Sequence, residues 1–201
     1  MEKGNLRRSI IGVFFLILSF LIITYLTVPA HAEPSLPTVL QNLGFTNVAE
    51  VEDVNVTFHP GLYTITLYAE FAGYHKTNEL SYYEVGTQVY NLIFAGSEGG
   101  FGYLSPPITK TVTIDCEFGL SMFVAAENHR YFSENGLNPD GYNHSKAYEN
   151  LNDPGMFIIG FENLYGLGDR DYQDMVFSIQ AQTPQHVVPE VPFGTIMITA
   201  C

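Results

Sequence analysis

Apolar and polar residues alternate along much of the chain beyond residue 60, which is the pattern of half-buried β-strands. The clearest run spans residues 62–72, where Tyr63, Ile65, Leu67, Ala69 and Phe71 would share one face. Further strands are predicted at residues 82–85, 88–94, 109–115, 119–126, 156–162 and 175–181. Short strands at this spacing, rich in Tyr, Phe and Thr, predict an all-β antiparallel sandwich with jelly-roll-like topology.

Three other stretches break the strand pattern. Residues 35–43, followed by Gly44, read as one short N-terminal helix with a glycine stop. Residues 96–102 contain four glycines and are predicted to form a loop. The polar stretch 127–153 is long for a structureless loop, so it is either a functional loop or hides a short element. Within it, residues 138–141 (NPDG) are a strong turn signal.

The N-terminus has the features of an export signal. Lys3, Arg7 and Arg8 precede an apolar run at residues 10–28, and residues 30–32 form an Ala-x-Ala cleavage site. We therefore predict a signal peptide at residues 1–32 and an extracellular or cell-surface location. The apolar run is also near the length of a membrane span, so an uncleaved signal anchor is the alternative.

The C-terminal residues differ in composition from the central part. Residues 184–201 begin as a Pro-rich linker and turn apolar from residue 195, with too few residues to cross a bilayer. We expect a membrane anchor that has been truncated, and a final strand or tail is the alternative. The predicted organisation is thus a signal at 1–32, a β-sandwich domain at 33–183 and the linker with the start of the anchor at 184–201.

The net charge limits the classes of partner. The full chain carries a formal charge of −13, and three of its eight basic residues, Lys3, Arg7 and Arg8, lie in the N-terminal 32 residues. Such acidity argues against binding to nucleic acid or to anionic membrane surfaces, so membrane contact is expected only through the terminal apolar segments. It suits an extracellular protein that meets divalent cations, although acidity that merely keeps the surface soluble would look the same.

Cysteines and sequons add little. Cys116 and Cys201 are the two cysteines, and they do not make a disulfide framework. Cys116 is expected to be a small core residue. Asn55 and Asn143 begin N-glycosylation sequons that an exporting cell with that machinery could use.

The strongest candidate site is an acidic loop between the last two predicted strands. Asp169, Asp171 and Asp174 lie on a glycine-punctuated segment, and pairing the strands as a hairpin brings Glu162 to its base. At roughly 5 Å and an effective dielectric of about 20, each carboxylate pair repels by on the order of 3 kcal/mol. A bound cation would offset this repulsion. An acidic turn with Asx-type backbone bonds is the alternative.

Among cations, calcium fits this loop best. It takes six to eight oxygen ligands in flexible geometry, whereas magnesium demands a strict octahedron. Zinc is disfavoured because no His or Cys accompanies the aspartates. The spacing also differs from the EF-hand loop.

Enzymatic interpretations are weaker. The residues Glu127, His129, Asp140 and His144 could form a metal or acid–base cluster, but their spacing is not that of metal ligands. Paired acids such as Glu70 and Glu162 could serve glycoside hydrolysis, yet such pairs arise readily in a chain with 21 acidic residues. We expect no catalytic activity.

The acidic loop also carries a family resemblance. The segments GFENL (160–164) and GDRDYQDMVF (168–177) resemble the signature of the domain of unknown function 4114, over about residues 60–180. The resemblance implies a β-sandwich on a secreted or surface protein of bacteria or archaea, with calcium on the aspartate loop. Asp169, Asp171 and Asp174 match the acids of that motif, and Glu162 matches its upstream acid. The two chain ends are similar to archaeal surface proteins anchored at the C-terminus.

Together these observations lead to one functional expectation with two alternatives. The first is a calcium-binding surface module for adhesion or envelope structure, whose partner is another envelope protein or a surface glycan. The second is a carbohydrate-binding module, since exposed tyrosines beside a calcium site would suit sugar binding. The third is a glycoside hydrolase that uses the loop carboxylates.

Overall fold

The structure is a computed structural model, and it describes residues 33–52 and 55–182. All described elements belong to the unit Pro34–Cys201. The predicted signal peptide, the linker, the anchor and Cys201 lie outside the described residues. No helix within the described ranges is long and apolar enough to cross a membrane.

Strands dominate the described residues, and one short α-helix precedes them. The helix is α1 (Leu36–Asn42). The strands are β1 (Val48–Glu50), β2 (Thr57–Phe58), β3 (Gly61–Glu70), β4 (Asn78–Glu84), β5 (Tyr90–Phe94), β6 (Gly102–Ile114), β7 (Phe118–Val124), β8 (His129–Phe132), β9 (Ser145–Asn150), β10 (Met156–Phe161) and β11 (Met175–Ala181). Two 3₁₀ turns, Asn135–Leu137 and Tyr165–Leu167, complete the set.

The strands form two antiparallel sheets. Sheet I has the order β1-β9-β10-β11-β3-β6, and sheet II has the order β2-β7-β4-β5 with β8 also paired to β7. The chain changes sheet repeatedly, from β1 to β2, β2 to β3, β3 to β4, β5 to β6 and β6 to β7. This alternation is the jelly-roll pattern, extended by β8, β9 and β10. The predicted all-β sandwich with one short N-terminal helix is confirmed.

Apolar side chains fill the space between the sheets and a second layer outside sheet I. The inner core contains buried residues of both sheets, including Leu67, Leu120 and Phe177. Leu36, Val39 and Leu40 of α1 form the outer layer, where they cover Ile158 and Val176 of sheet I. Their spacing places all three on one helix face. Helix α1 is therefore fixed against the outer face of the strands that carry the acidic loop.

Several boundaries differ from the sequence prediction. The polar stretch 127–153 contains β8 and β9, so it hid two strands. The strand expected at 109–115 begins already at Gly102 and includes Pro106 and Pro107. The prolines are tolerated because β6 is an edge strand, whose outer side needs no hydrogen bonds. The strand expected at 82–85 extends back to Asn78.

One prediction about β3 is wrong. The five alternate residues from Tyr63 to Phe71 were expected on a single face. In the structure Leu67 belongs to the inner core, whereas Ala69 and Phe71 belong to the outer layer. Leu67 pairs with Phe177 of β11 whereas Ala69 pairs with Val176, so β3 has one extra residue at this point, where its register against β6 also shifts. Such a bulge adds one residue and exchanges the faces of everything after it.

Candidate metal site

The β10–β11 hairpin is formed as predicted, and it carries the acidic segment at one end. Phe161 pairs with Met175, and the Asp174 amide donates to the Phe161 carbonyl over 3.1 Å. Residues 162–174, called the aspartate loop below, connect the two strands. Inside this loop Leu167, Arg170 and Tyr172 adopt positive φ although none is glycine. Such backbone strain persists only where surrounding contacts fix it, and it concentrates at functional sites.

Contacts with other elements hold the aspartate loop from several sides. The Leu36 amide of α1 donates to the Asp171 carbonyl over 2.8 Å. The Tyr172 hydroxyl donates to the Asn143 carbonyl over 3.0 Å. Gly160 is required beneath the loop, because a Cβ at this position would overlap the Tyr172 carbonyl and the Leu36 side chain. The loop is therefore anchored to α1 and to the segment before β9.

Three of the four predicted ligands come together. Oxygen atoms of Glu162, Asp169 and Asp171 all lie within 4.8 Å of one another, and in the described ranges this is the single group of three or more acidic, His or Cys side chains so arranged. Glu162 is 0 % exposed at the base of the group. Asp171 is half-buried and Asp169 is exposed, so the group opens to solvent on one side.

Asp174 lies next to this group but has a different set of contacts. Its Oδ2 accepts a hydrogen bond from the Asn163 amide over 2.7 Å. Its carboxylate also faces that of Glu162, and the two side chains interact directly. The structure thus places Asp174 beside Glu162, where its charge affects the pKa of Glu162.

The pKa values of these acids are raised. Burial is the largest cause for Glu162, and the negative charge of Asp174 is the second; together they raise the pKa of Glu162 well above its ordinary value. Burial likewise raises the pKa of Asp174, against the hydrogen bond from Asn163. Burial and the nearby Asp169 raise the pKa of Asp171, partly offset by a hydrogen bond from Gln173. Burial and the closeness of like charges explain why the pKa values of all three acids are raised.

Two buried oxygens in the group lack hydrogen-bond donors. Glu162 Oε2 and Asp171 Oδ1 receive no hydrogen bond from any described donor. Buried polar atoms are nearly always satisfied, and exceptions need an explanation such as an ion. The donor set is carboxylate oxygen only, which is the chemistry of hard cations such as calcium. The residues present therefore fit the predicted metal.

Two members of the cluster considered from the sequence, Asp140 and His144, form a buried pair that supports the loop. His144 Nε2 lies 2.8 Å from Asp140 Oδ2, and the two side chains are 0 % and 2 % exposed. Asp140 Oδ2 also accepts from the Gly166 amide over 2.7 Å. Burial alone would raise the pKa of Asp140, but hydrogen bonds from Gly166, His144 and Tyr142 outweigh it and lower that pKa below the usual value. This pair connects the NPDG turn to the aspartate loop.

The other nitrogen of His144 also contacts the site. Nδ1 lies 2.8 Å from the carbonyl of Glu162, which can only accept, so this nitrogen donates. The ring stacks on Tyr131 at 3.8 Å between centroids. His144 and Asp140 thus position Glu162 and are not loose loop residues. Asp140 and His144 both belonged to the cluster considered from the sequence, and the structure brings these two members together.

The remaining predicted residues lie apart from the acidic group. Glu127 accepts a hydrogen bond from the Tyr131 hydroxyl, and His129 lies 3.8 Å from its carboxylate. Among the sequon residues, Asn55 is exposed and Asn143 is half-buried. Cys116 lies in the β6–β7 turn, partly buried against the inner core.

Comparison with known proteins supports the family resemblance over part of the chain. Residues 118–182 match the model of a family described as a domain of unknown function, DUF4114. The match runs from the start of β7 through the aspartate loop to the end of β11. It does not include residues 60–117, where the resemblance was also expected. No curated protein matches the chain.

Proposed function

We propose that this protein is an exported, calcium-binding module of the cell surface with a structural or adhesive role and without catalytic activity. One observation carries the proposal. Glu162 is fully buried, its Oε2 has no described donor, and carboxylate oxygens of Asp169 and Asp171 lie within 4.8 Å of its carboxylate. A bound cation supplies the positive charge that this arrangement lacks.

Glu162, Asp169 and Asp171 are the side chains that would hold the ion. Calcium accepts carboxylate, carbonyl and water oxygens together, and Asp169 faces solvent, so water can complete its coordination. Magnesium binds less readily at a site formed by a loop with several protein oxygens. When bound, the ion would neutralise the acids and hold the two halves of the loop together.

The supporting contacts explain why such an ion would matter to the fold. The aspartate loop is hydrogen-bonded to α1 through Leu36 and to the Asp140–His144 pair through Gly166. An ion that fixes Asp171 therefore also fixes the attachment of α1. Binding to the folded state alone stabilises it by mass action, by about 2.7 kcal/mol at a hundredfold excess over Kd.

Sequence features support the location, and burial supports the absence of catalysis. The basic, apolar N-terminus with an Ala-x-Ala site is typical of export. Glycoside hydrolysis needs two carboxylates that a sugar can reach. Glu70 and Glu162, the pair considered for that role, are 1 % and 0 % exposed.

A calcium titration of the full-length chain tests the proposal. After chelation, the melting temperature is measured at increasing calcium and, in parallel, at increasing magnesium. We expect a saturable rise with calcium and a much smaller one with magnesium. An unchanged melting temperature up to millimolar calcium, together with no binding heat, would contradict the proposal.

A second candidate function rests on the aromatic surface beside the loop. Tyr165 is 57 % exposed, and its ring lies 5.4 Å from that of His129. Exposed aromatic rings next to a cation with open coordination positions suit a sugar, which can stack and offer hydroxyl oxygens. A glycan array probed with and without chelator separates this function from a purely structural one. Calcium-dependent glycan binding that Tyr165→Ala abolishes would favour it.

A further inference from the structure

A second buried carboxylate lies outside the aspartate loop. Glu70, at the end of β3, is 1 % exposed, and apart from the Gly100 amide its carboxylate has no hydrogen-bond donor within the described part of the chain. The bulge after Leu67 puts Ala69 and Phe71 in the outer layer, so Glu70 between them is directed to the interior between the sheets, opposite to the side that the alternation of β3 predicted. The carboxylate is thus directed inward by a specific irregularity of the strand.

The glycine-rich loop, residues 95–102, covers this carboxylate. Gly99 lies directly on Glu70, because a Cβ built on Gly99 would overlap Oε2. The loop is held in place by Glu98, which accepts from the Ala95 amide over 2.8 Å and from Lys110 over 2.7 Å. The Lys110 ammonium group is therefore paired with Glu98, and it does not contribute to the pKa shift of Glu70.

A second unsatisfied side chain lies under the same loop. Asn78, at the start of β4, is 0 % exposed, and neither its amide oxygen nor its amide nitrogen has a hydrogen-bond partner among the described residues. It lies two residues before Leu80 of the inner core, so it shares that inward face. A Cβ at Gly96 would overlap the Lys76–Thr77 peptide just before Asn78, so the loop backbone lies directly on that peptide. The glycine-rich loop therefore covers Glu70 and the chain just before Asn78.

We propose that Glu70 and Asn78 form a second calcium site, roofed by the glycine-rich loop and independent of the aspartate loop. A carboxylate, an amide oxygen and loop carbonyls are the oxygen donors that calcium takes from proteins. The ion would satisfy two groups together, since it would take the place of the Glu70 proton and would bind the Asn78 oxygen. Leaving such groups buried and unsatisfied is costly.

Charge in this pocket supports the same assignment. Burial raises the pKa of Glu70 to about 8, and the nearby Gly100 amide only partly opposes the rise. Without a cation, Glu70 therefore keeps its proton at neutral pH. With a cation, the proton is released and the carboxylate becomes a ligand. This site is enclosed, unlike the group around Asp169, so we expect its ion to exchange more slowly.

Counting bound ions tests the inference. The full-length chain in mild detergent is stripped with chelator, and calcium is then counted by native mass spectrometry and by titration calorimetry. We expect two ions per chain. Glu70→Gln should bind one, and the double variant Asp169→Asn/Asp171→Asn should also bind one. Glu84→Gln, which neutralises an exposed carboxylate elsewhere on β4, serves as the matched control and should keep two.

The outcomes separate the two sites. One ion in the wild type that survives Glu70→Gln overturns the second site and leaves the proposed function intact. One ion that survives the double aspartate variant but not Glu70→Gln supports the second site and refutes the first. No ion at all refutes both.

If Glu70→Gln does not fold by circular dichroism, crystals of the wild-type chain with terbium decide the matter. An anomalous peak beside Glu70 supports the proposal, and a peak at the aspartate loop without one at Glu70 overturns it.

Discussion

Substitution of Glu162 by glutamine should abolish the stabilisation by calcium while leaving the calcium-free protein nearly unchanged. Because burial raises the pKa of Glu162 to about 9, the calcium-free side chain is protonated at neutral pH. Glutamine has the same shape and is also neutral. It retains an oxygen to accept the Leu164 amide, which lies 3.3 Å from Oε1 in the wild type.

The geometry of the site explains why calcium binding needs Glu162, and the calcium concentration relative to Kd sets the size of the stabilisation. With all three acids ionised at 4.8 Å, and an effective dielectric of about 20, each pair repels by about 3 kcal/mol. Calcium must offset these repulsions, and Glu162 takes part in two of the three. At a hundredfold excess over Kd, calcium should stabilise the wild type by about 2.7 kcal/mol. For a domain of this size that equals about 5–11 °C in melting temperature.

Thermal melting at pH 7 measures this directly. Wild type, Glu162→Gln and Glu84→Gln are each melted in chelator and in saturating calcium. We expect the calcium-induced shift in the wild type and in the Glu84→Gln control, and no shift in Glu162→Gln. The three calcium-free melting temperatures should agree closely.

Two results would refute the reasoning. If Glu162→Gln keeps the full calcium shift, the ion does not bind at the base of the aspartate loop. If the calcium-free variant melts far below the calcium-free wild type, Glu162 is not protonated in the folded protein, and the charge argument fails.

Three further predictions follow from the same contacts. The pKa of Glu162 in the folded state is raised from 4.5 to about 9, so the calcium-free protein should lose stability as the pH rises between these values. Urea unfolding midpoints measure this loss, and with calcium they should decline less. Gly160→Ala should cost about 1–3 kcal/mol of unfolding free energy and weaken calcium binding, because the new methyl overlaps the Tyr172 carbonyl; unchanged calorimetry would contradict this. Asp140→Ala should cost about 3–5 kcal/mol, measured by urea unfolding, because it leaves His144 buried without its partner; a loss below about 1 kcal/mol would show that the pair is not structural.

Much of the fold was predictable because its signals are local. Helix α1, the alternation of β3 up to Leu67 and the β10–β11 hairpin all follow from spacing within a few residues. The hairpin was sufficient to bring Glu162 beside the aspartates. These features depend on neighbours along the chain, and local patterns report such neighbours well.

The missed features depend on tertiary contacts. Strands β8 and β9 are polar, and burial of residues such as Ser145 against other elements is not visible in their periodicity. The bulge that turns Glu70 inward needs the register of β6, which is 30 or more residues away along the chain. The Asp140–His144 pair draws its importance from Gly166 and the Glu162 carbonyl, which only the fold brings near.

The attachment of α1 has a mechanical consequence. The Leu36 amide is hydrogen-bonded to the Asp171 carbonyl, and only three residues, 33–35, separate Leu36 from the predicted signal segment at 1–32. If the N-terminal apolar run stays in the membrane as the uncleaved signal anchor considered above, tension on it reaches the aspartate loop before it reaches either sheet. Bound calcium would then strengthen the contact between α1 and the aspartate loop, which is the first contact that the force would break.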